Sequence, residues 1–352
     1  MSQVPTYSIV APVYNEVGNL RPFTAQVRAA MDGLGEPWEL LLVDDGSSDG
    51  SRDLMLELAA EDSRLRVISF ARNFGHQIAV TAGVDYASGR AVVLIDADLQ
   101  DPPAVIPRLI EKWQEGYDVV YAVRAVRKGE SWLKRLSAKL FYRMIHRITD
   151  INIPVDTGDF RLMDARVAAV LRQMREHRRF VRGMTSWVGF RQTGIEYVRD
   201  ERTWGETKYP LRKMIAFALD AVTSFSFFPL QIMIVISLFL GVASLLLGLA
   251  ITILRLTQGE EFFGGQATTI MLLLLLSSFQ LFFLFVIGQY VARSYDEARD
   301  RPLYVVASTA GLGQARASNQ RLPAPGGADE ATALAKAHSP RQTEGEDNRS
   351  AR

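Results

Sequence analysis

Residues 96–101, Asp-Ala-Asp-Leu-Gln-Asp, follow the apolar run AVVLI and carry the oxygen atoms that a hard divalent cation needs. Carboxylates two positions apart at a strand end can converge on one ion. Mg²⁺ or Mn²⁺ takes oxygen ligands and usually keeps waters and phosphate oxygens in its shell. Asp96, Asp98 and Gln100 are therefore the candidate metal ligands, and an ion held there would neutralise a departing diphosphate. A bare Asp-x-Asp is also a common solvated turn, and the apolar run before it is what raises this one above that reading. A second acidic pair, Asp44-Asp45, is followed by Gly46-Ser47-Ser48 and also closes an apolar run. Glycine permits a tight turn there, and Asp45 can accept hydrogen bonds from a nucleobase edge or from ribose hydroxyls. Ser48 or Asp49 suits the N-cap of a following helix. Pro12, Tyr14, Asn15 and Glu16 end the first apolar run and set a ring face and a carboxylate beside the same pocket.

These residues need elements to hold them. From Tyr7 to about Asp101 the sequence alternates short β-rich runs (YSIVAPVY, WELLLVDDGS, LRVISF) with amphipathic stretches at Leu20–Leu34 and Arg52–Ala60. That rhythm predicts an α/β domain with a mostly parallel central sheet covered by helices, and ligands at the strand ends. The C-terminal half changes character. Phe227–Leu254 and Thr268–Val291 are almost wholly apolar, and a bilayer core requires roughly 20 such residues in a helix. Arg212 and Lys213 precede the first span and Arg293, Arg299 and Arg301 follow the second. The positive-inside bias then puts both termini in the cytoplasm and residues 256–267 on the other side. The start of the chain lacks the features of a signal peptide, which agrees with a cytoplasmic first domain at the inner face of a cell membrane.

In residues 131–149 apolar positions recur near helical spacing among Lys134, Arg135, Lys139, Arg143 and Arg147, the make-up of a basic interfacial helix. Residues 206–224 are a second interfacial candidate. From about Ala307 the chain is rich in Ala, Gly, Pro, Gln, Arg and Glu without apolar periodicity, and reads as a disordered tail within residues 293–352. Net charge of +1 gives no global case for nucleic acid. The absence of cysteine removes disulfides, thiolate chemistry and cysteine-ligated zinc. Gly241, Ser244 and Gly248 would permit close helix approach, and so homo-oligomers, without requiring either.

The segments APVYNE, VDDGSSDGS, ARNFGHQIAVTAGVDYASG, LIDADLQDPP and RTWGETKY, in this order and followed by two apolar spans, resemble the family 2 glycosyltransferases with the GT-A fold. Within that family the likeness is to dolichol-phosphate mannose synthase and bacterial bactoprenol (undecaprenyl-phosphate) glycosyltransferases, over about residues 5–300. The resemblance implies a GT-A domain over residues 1–205, spans over 225–255 and 268–292, and inverting sugar transfer from a nucleotide-sugar, UDP-glucose first, to a polyprenyl phosphate. It implies that Pro12, Tyr14, Glu16 and Asp45 line the nucleotide pocket, with Asp96, Ala97, Asp98 and Gln100 at the metal and diphosphate. Arg124, Arg127 and Arg135 would receive the lipid phosphate, Arg127 at the reacting phosphate itself, and Arg202 and Lys208 would close over the donor phosphates. Arg is well suited to phosphate oxygens, and these acceptor arginines are expected apart from the acidic strand ends. Asp159 is assigned among the catalytic residues, in a positioning role. The family often has Lys where this chain has His76, which leaves the role of His76 open. A processive polysaccharide synthase is the rival enzyme, but the Gln-x-x-Arg-Trp motif of those synthases is absent. A catalytically silent membrane protein is the non-enzymatic rival, and the intact acidic set argues against it.

Overall fold

The computed structural model describes residues 5–124, 157–177, 179–198, 228–258 and 266–312, and the described residues up to Gly311 belong to one compact unit. In chain order the strands are β1 (Tyr7–Val13), β2 (Trp38–Asp44), β3 (Leu65–Phe70), β4 (Ala91–Leu94), β5 (Val119–Arg124), β6 (Thr157–Asp164), β7 (Gln192–Tyr197) and β8 (Val306–Ala310). The helices are α1 (Val17–Asp32), α2 (Ser51–Glu61), α3 (His76–Tyr86), α4 (Ile106–Gln114), α5 (Ala165–Gln173), α6 (Val181–Trp187), α7 (Phe228–Gln258) and α8 (Gln266–Ala298). One eight-stranded sheet runs in the order β7-β5-β6-β4-β1-β2-β3-β8. Its centre is parallel, with β1 beside β2 and β4, and β2 beside β3. On one side β6 enters antiparallel between β4 and β5, and β7 pairs parallel with β5.

Every residue of β1 and β2 is buried, because helices cover a parallel sheet on both faces and its strands read as near-continuous apolar runs. Ser8, Glu39 and Asp44 are the polar exceptions, and Glu39 stands inside β2. Its buried carboxylate accepts from Ser8 Oγ at 2.5 Å and Ser88 Oγ at 2.6 Å and pairs with Arg66 at 2.5 Å, as a buried charge must. Helix α3 lies directly on β1 at Gly83, where an added Cβ would fall 2.0 Å from Val10 Cγ1. That close seat sets where the first residues of α3 stand relative to the strand ends.

Two expectations about the C-terminal half change. Residues 306–310 are not tail but the edge strand β8, antiparallel to β3, so the domain expected to end at residue 205 is completed by residues that follow the second apolar helix. Val-Ala-Ser-Thr-Ala carries little strand signal by itself. The open edge of β3 supplies the hydrogen-bond partners, and buried Tyr304 and Val306 supply the packing. Of the two apolar helices, α7 keeps the expected 31 residues three positions further along, whereas α8, at 33 residues, runs beyond the expected span at both ends. Each contains a window long and apolar enough to cross a membrane, Met233–Ala250 and Leu275–Ala298, almost none of it buried against the rest of the chain. The expected interfacial helices at 131–149 and 206–224, and most of the linker between the spans, lie outside the described residues.

Candidate active site

The C-terminal ends of the parallel neighbours β1, β2 and β4 open into a cleft of about 950 Å³. Pro12 and Val13 end β1 in its wall, and the Tyr14 ring stands 50% exposed at the rim. The loops after β1 and β2 are stitched together: Ser48 N–H donates to Asn15 Oδ1 at 2.8 Å and Glu16 N–H to Ser51 Oγ at 2.9 Å. Asp49 serves both following helices, accepting from Ser51 N–H at 3.0 Å and from Val17 N–H at 3.1 Å. Asp45 lies buried at the end of β2, where its carboxylate accepts from Phe74 N–H at 2.7 Å and Gly75 N–H at 3.0 Å. Burial pushes its pKa up, against those donors and His76. Gly46 makes this possible: at φ +74° it has no side chain to meet the Arg72 carbonyl carbon, which an added Cβ would approach to 2.6 Å.

Asp96, Ala97 and Asp98 line the floor after β4. Asp98 Oδ1 accepts from Gln100 N–H at 3.1 Å, and Leu99 between them takes φ 61°, a left-handed conformation uncommon for a bulky residue and of the kind found at functional turns. Gln100 is not among the residues lining the cleft. Asp101 is buried and accepts a hydrogen bond from the Tyr197 hydroxyl of β7. Burial raises the Asp96 pKa to about 6, opposed by His76 and reinforced by Asp159, Asp101 and Asp98. A carboxylate crowded by its own kind is one that a cation relieves, so the residues present fit a divalent ion. Among the described residues no three acidic or imidazole groups cage a metal by themselves, so water and diphosphate oxygens would complete the shell.

Asp159, from β6, closes the cleft on the other side. Its carboxylate meets His76 Nε2 at 3.2 Å, accepts from Gln77 Nε2 at 2.9 Å and pairs with Arg182 Nε at 3.0 Å. Burial works against its ionisation, and His76, Arg182 and Arg161 overcome it, holding its pKa well below the usual carboxylate range. His76 also stands 3.6 Å from Asp96. Burial would lower its pKa, but Asp159, Asp96 and Asp45 lift it to about 9. Behind the site, fully buried Arg161 donates to Gly158 O at 2.9 Å and to Thr185 Oγ1, its pKa pushed down by burial to about 10. Arg182 also donates to Thr157 O at 3.0 Å.

Arg124 corrects one expectation. It was to lie apart from the acidic strand ends, yet it lines the same cleft as Asp45, Asp96 and Asp98. Its guanidinium packs over Gly158, where an added Cβ would come within 2.8 Å of Nη2. Burial lowers its pKa, and the Tyr197 hydroxyl with Asp101 and Asp96 more than offsets this. The sheet order explains the difference, since β5 and β4 are separated only by β6. Arg127, Arg135, Arg202 and Lys208 lie outside the described residues. Gln77 lies within the segment ARNFGHQIAVTAGVDYASG but was given no role, and Arg161 and Arg182 were singled out by no reading of the sequence.

The glycosyl transferase family 2 model matches residues 8–171, which include the loops after β1 and β2, the acidic turn and Asp159. A glycosyltransferase of Bacillus subtilis, YkcC, is 48% identical over 92% of this chain and 98% of its own length. The chain belongs to glycosyltransferase family 2. The bactoprenol glucosyl transferase of the SfII prophage in Shigella flexneri is 39% identical over 85% of this chain and 96% of that protein. A mannosyltransferase from Pyrobaculum calidifontis, solved with GDP-Man and Mn²⁺, aligns over 63% of this chain and 70% of that one, at 16% identity and a TM-score of 0.41. The glycosyltransferase has GT-A architecture, with its mixed, mostly parallel sheet opening at the β1, β2 and β4 ends.

The His76–Asp159 contact makes a testable statement about charge. In metal-free protein, Asp159→Asn removes a negative neighbour that favours the imidazolium, so the His76 pKa should fall from about 9 towards its ordinary 6.5. NMR titration of the His76 ring checks this, and an unchanged midpoint would remove Asp159 as its partner.

Proposed function

We propose that this glycosyltransferase moves a sugar from a nucleotide-sugar, with UDP-glucose the first donor to test, onto a polyprenyl phosphate at a membrane surface. The observation that carries the acceptor assignment is the state of Asp159. Its carboxylate is engaged by His76, Gln77 and Arg182 and held ionised, which makes it a poor proton carrier. A hydroxyl acceptor calls for a general base. A phosphate whose second pKa is about 6 is largely ionised at neutral pH and calls for none. The Shigella relative is named for transfer to bactoprenol, and α7 and α8 offer the membrane contact that such a lipid requires.

On this reading Pro12, Tyr14, Glu16 and Asp45 receive the nucleoside, and Asp96, Ala97 and Asp98 face the diphosphate and its ion, whereas Gln100, expected as a further ligand, does not line the cleft. Bound Mg²⁺ or Mn²⁺ would neutralise the leaving nucleotide diphosphate. Arg124, with Arg127 and Arg135, holds the lipid phosphate, and Arg202 and Lys208 close over the donor. A phosphate oxygen attacks the anomeric carbon as the bond to the nucleotide diphosphate breaks on the opposite face, and the single displacement inverts that carbon. Positioning provides much of the acceleration, and Asp159 contributes by fixing His76 and Arg182 around the reacting groups.

Membranes carrying the enzyme should transfer label from at least one of UDP-glucose, UDP-GlcNAc, UDP-galactose or GDP-mannose to added undecaprenyl phosphate, read in the extracted lipid. Undecaprenol without the phosphate should stay unlabelled. No labelled lipid from any donor, or equal labelling of the free alcohol, would contradict the proposal.

We further propose a membrane topology that β8 supports. Its pairing with β3 keeps the chain after α8 beside the catalytic sheet, and on this reading α7 and α8 form a hairpin through an inner membrane with both ends cytoplasmic. The chain has no cysteine, so single cysteines report cleanly. In intact cells an impermeant maleimide should label Gly265→Cys and spare Arg299→Cys, and the reverse pattern would overturn the hairpin.

A further inference from the structure

The chain returns from α8 to the catalytic sheet through contacts that the reaction itself does not require. His177 takes Glu297 at both its N–H (2.9 Å) and its Nδ1 (3.0 Å), and its Nε2 meets Arg301 O at 2.9 Å. Tyr304, only 4% exposed, donates its hydroxyl to Asp85 Oδ2 at 2.8 Å, and Arg175 holds the same carboxylate at 2.9 Å. The Tyr304 ring stacks on Phe70 with centroids 5.1 Å apart, and Phe70 meets Phe74 edge-on at 5.6 Å. Next in sequence, Val305 O accepts from Ala71 N–H at 2.9 Å.

These contacts converge on the loop 71–75. Val305 fixes its first residue, the Tyr304–Phe70–Phe74 ring series supports its middle, and the N–H groups of Phe74 and Gly75 at its end hold the Asp45 carboxylate. The next residue is His76, which opens α3, and Asp85 sits near the other end of that helix. The segment after the second apolar helix therefore braces both the loop that aims Asp45 and the helix that presents His76.

We infer that Tyr304 is a positioning residue for donor binding, setting the loop 71–75 so that its amides orient Asp45, and that it ties the seating of α8 to the donor pocket. The inference rests on the reading of Asp45 as a donor-pocket residue. Removing the ring frees Phe74 before it unfolds the sheet, since β8 keeps its ladder with β3. Asp45 then loses oriented donors, and nucleotide affinity falls while the acceptor side is untouched.

The test uses the full chain in detergent. Losing one or two such hydrogen bonds should raise the KM for UDP-glucose by about tenfold in Tyr304→Ala, with kcat and the KM for undecaprenyl phosphate within about twofold. Hydrogen exchange at the Phe74 and Gly75 amides should quicken in the same variant. Tyr304→Phe keeps the ring and should restore most of both. Gly311→Ala is the control. At φ +73°, with an added Cβ 2.9 Å from Leu65 O, it loosens the far end of β8 and should move neither reading. Unchanged amide exchange in Tyr304→Ala, or the same changes in Gly311→Ala, would overturn the inference. Asp45→Asn separates the two layers. If it weakens UDP-glucose use while Tyr304→Ala leaves the amides slow, only the brace is wrong. If Tyr304→Ala quickens the amides while Asp45→Asn leaves the KM unchanged, the donor reading itself is wrong.

Discussion

Like charges crowded in a partly desolvated cleft repel, and the cleft of this glycosyltransferase gathers Asp96, Asp98 and Asp159 around the ends of β4 and β6, with buried Asp101 adding to the charge they feel. In a surrounding of lowered dielectric such groups ionise together only if cations or hydrogen-bond donors meet them. Each partner comes from a different element: His76 from α3, Arg124 from β5, Arg161 from β6, Arg182 from α6 and the Tyr197 hydroxyl from β7. No local segment can build this arrangement, so the balance exists only once the β4-β6-β5-β7 side of the sheet has formed. The balance is also uneven. Asp159 is held ionised by its cationic neighbours, whereas Asp96 keeps a pKa raised to about 6, and this residual demand for positive charge is what suits the floor of the cleft to an ion carried in with a diphosphate.

The half of the cleft built from the ends of β1, β2 and β4 was legible in the sequence for a physical reason. Parallel strands need continuous apolar runs, and each run that ends in acidic residues announces a strand end facing the cleft. Asp45, Asp96 and Asp98 were found in that way and line the cleft together. The side of the cleft around Asp159 and Arg124 was less legible because its geometry depends on the insertion of β6 between β4 and β5. That insertion brings His76 to Asp159 across 83 positions and carries Arg124 to the acidic turn. Nothing in the spacing of either pair reports it. Strand β8 was missed for a related reason: five small residues form a strand only where β3 offers a free edge.

The cleft is also where the backbone departs from its easy conformations. Asn15 at φ 56° and Leu99 at φ 61° sit in the turns after β1 and β4, and Gly46 lets the loop 71–75 pass against the end of β2. Asn tolerates the left-handed region through its short polar side chain, and here that side chain accepts from Ser48 N–H. Leu99 has no such compensation and is held by the hydrogen bond between its neighbours and by packing against the core. The same loop 71–75 receives the chain returning from α8, so this wall of the cleft is joined to the segment that follows the second apolar helix.

The dependence of nucleotide binding on a divalent ion tests most directly whether the acidic floor is a metal-assisted diphosphate site. Calorimetric titration of the full chain with UDP, in EDTA and then in Mn²⁺, reads it without any need for the acceptor. Two carboxylates sharing an ion with the diphosphate should make UDP bind at least about tenfold tighter with Mn²⁺, a gain of roughly 1.4 kcal/mol, and Asp98→Asn should erase that gain. Equal affinity for UDP with and without Mn²⁺, or a gain that survives Asp98→Asn, would contradict it.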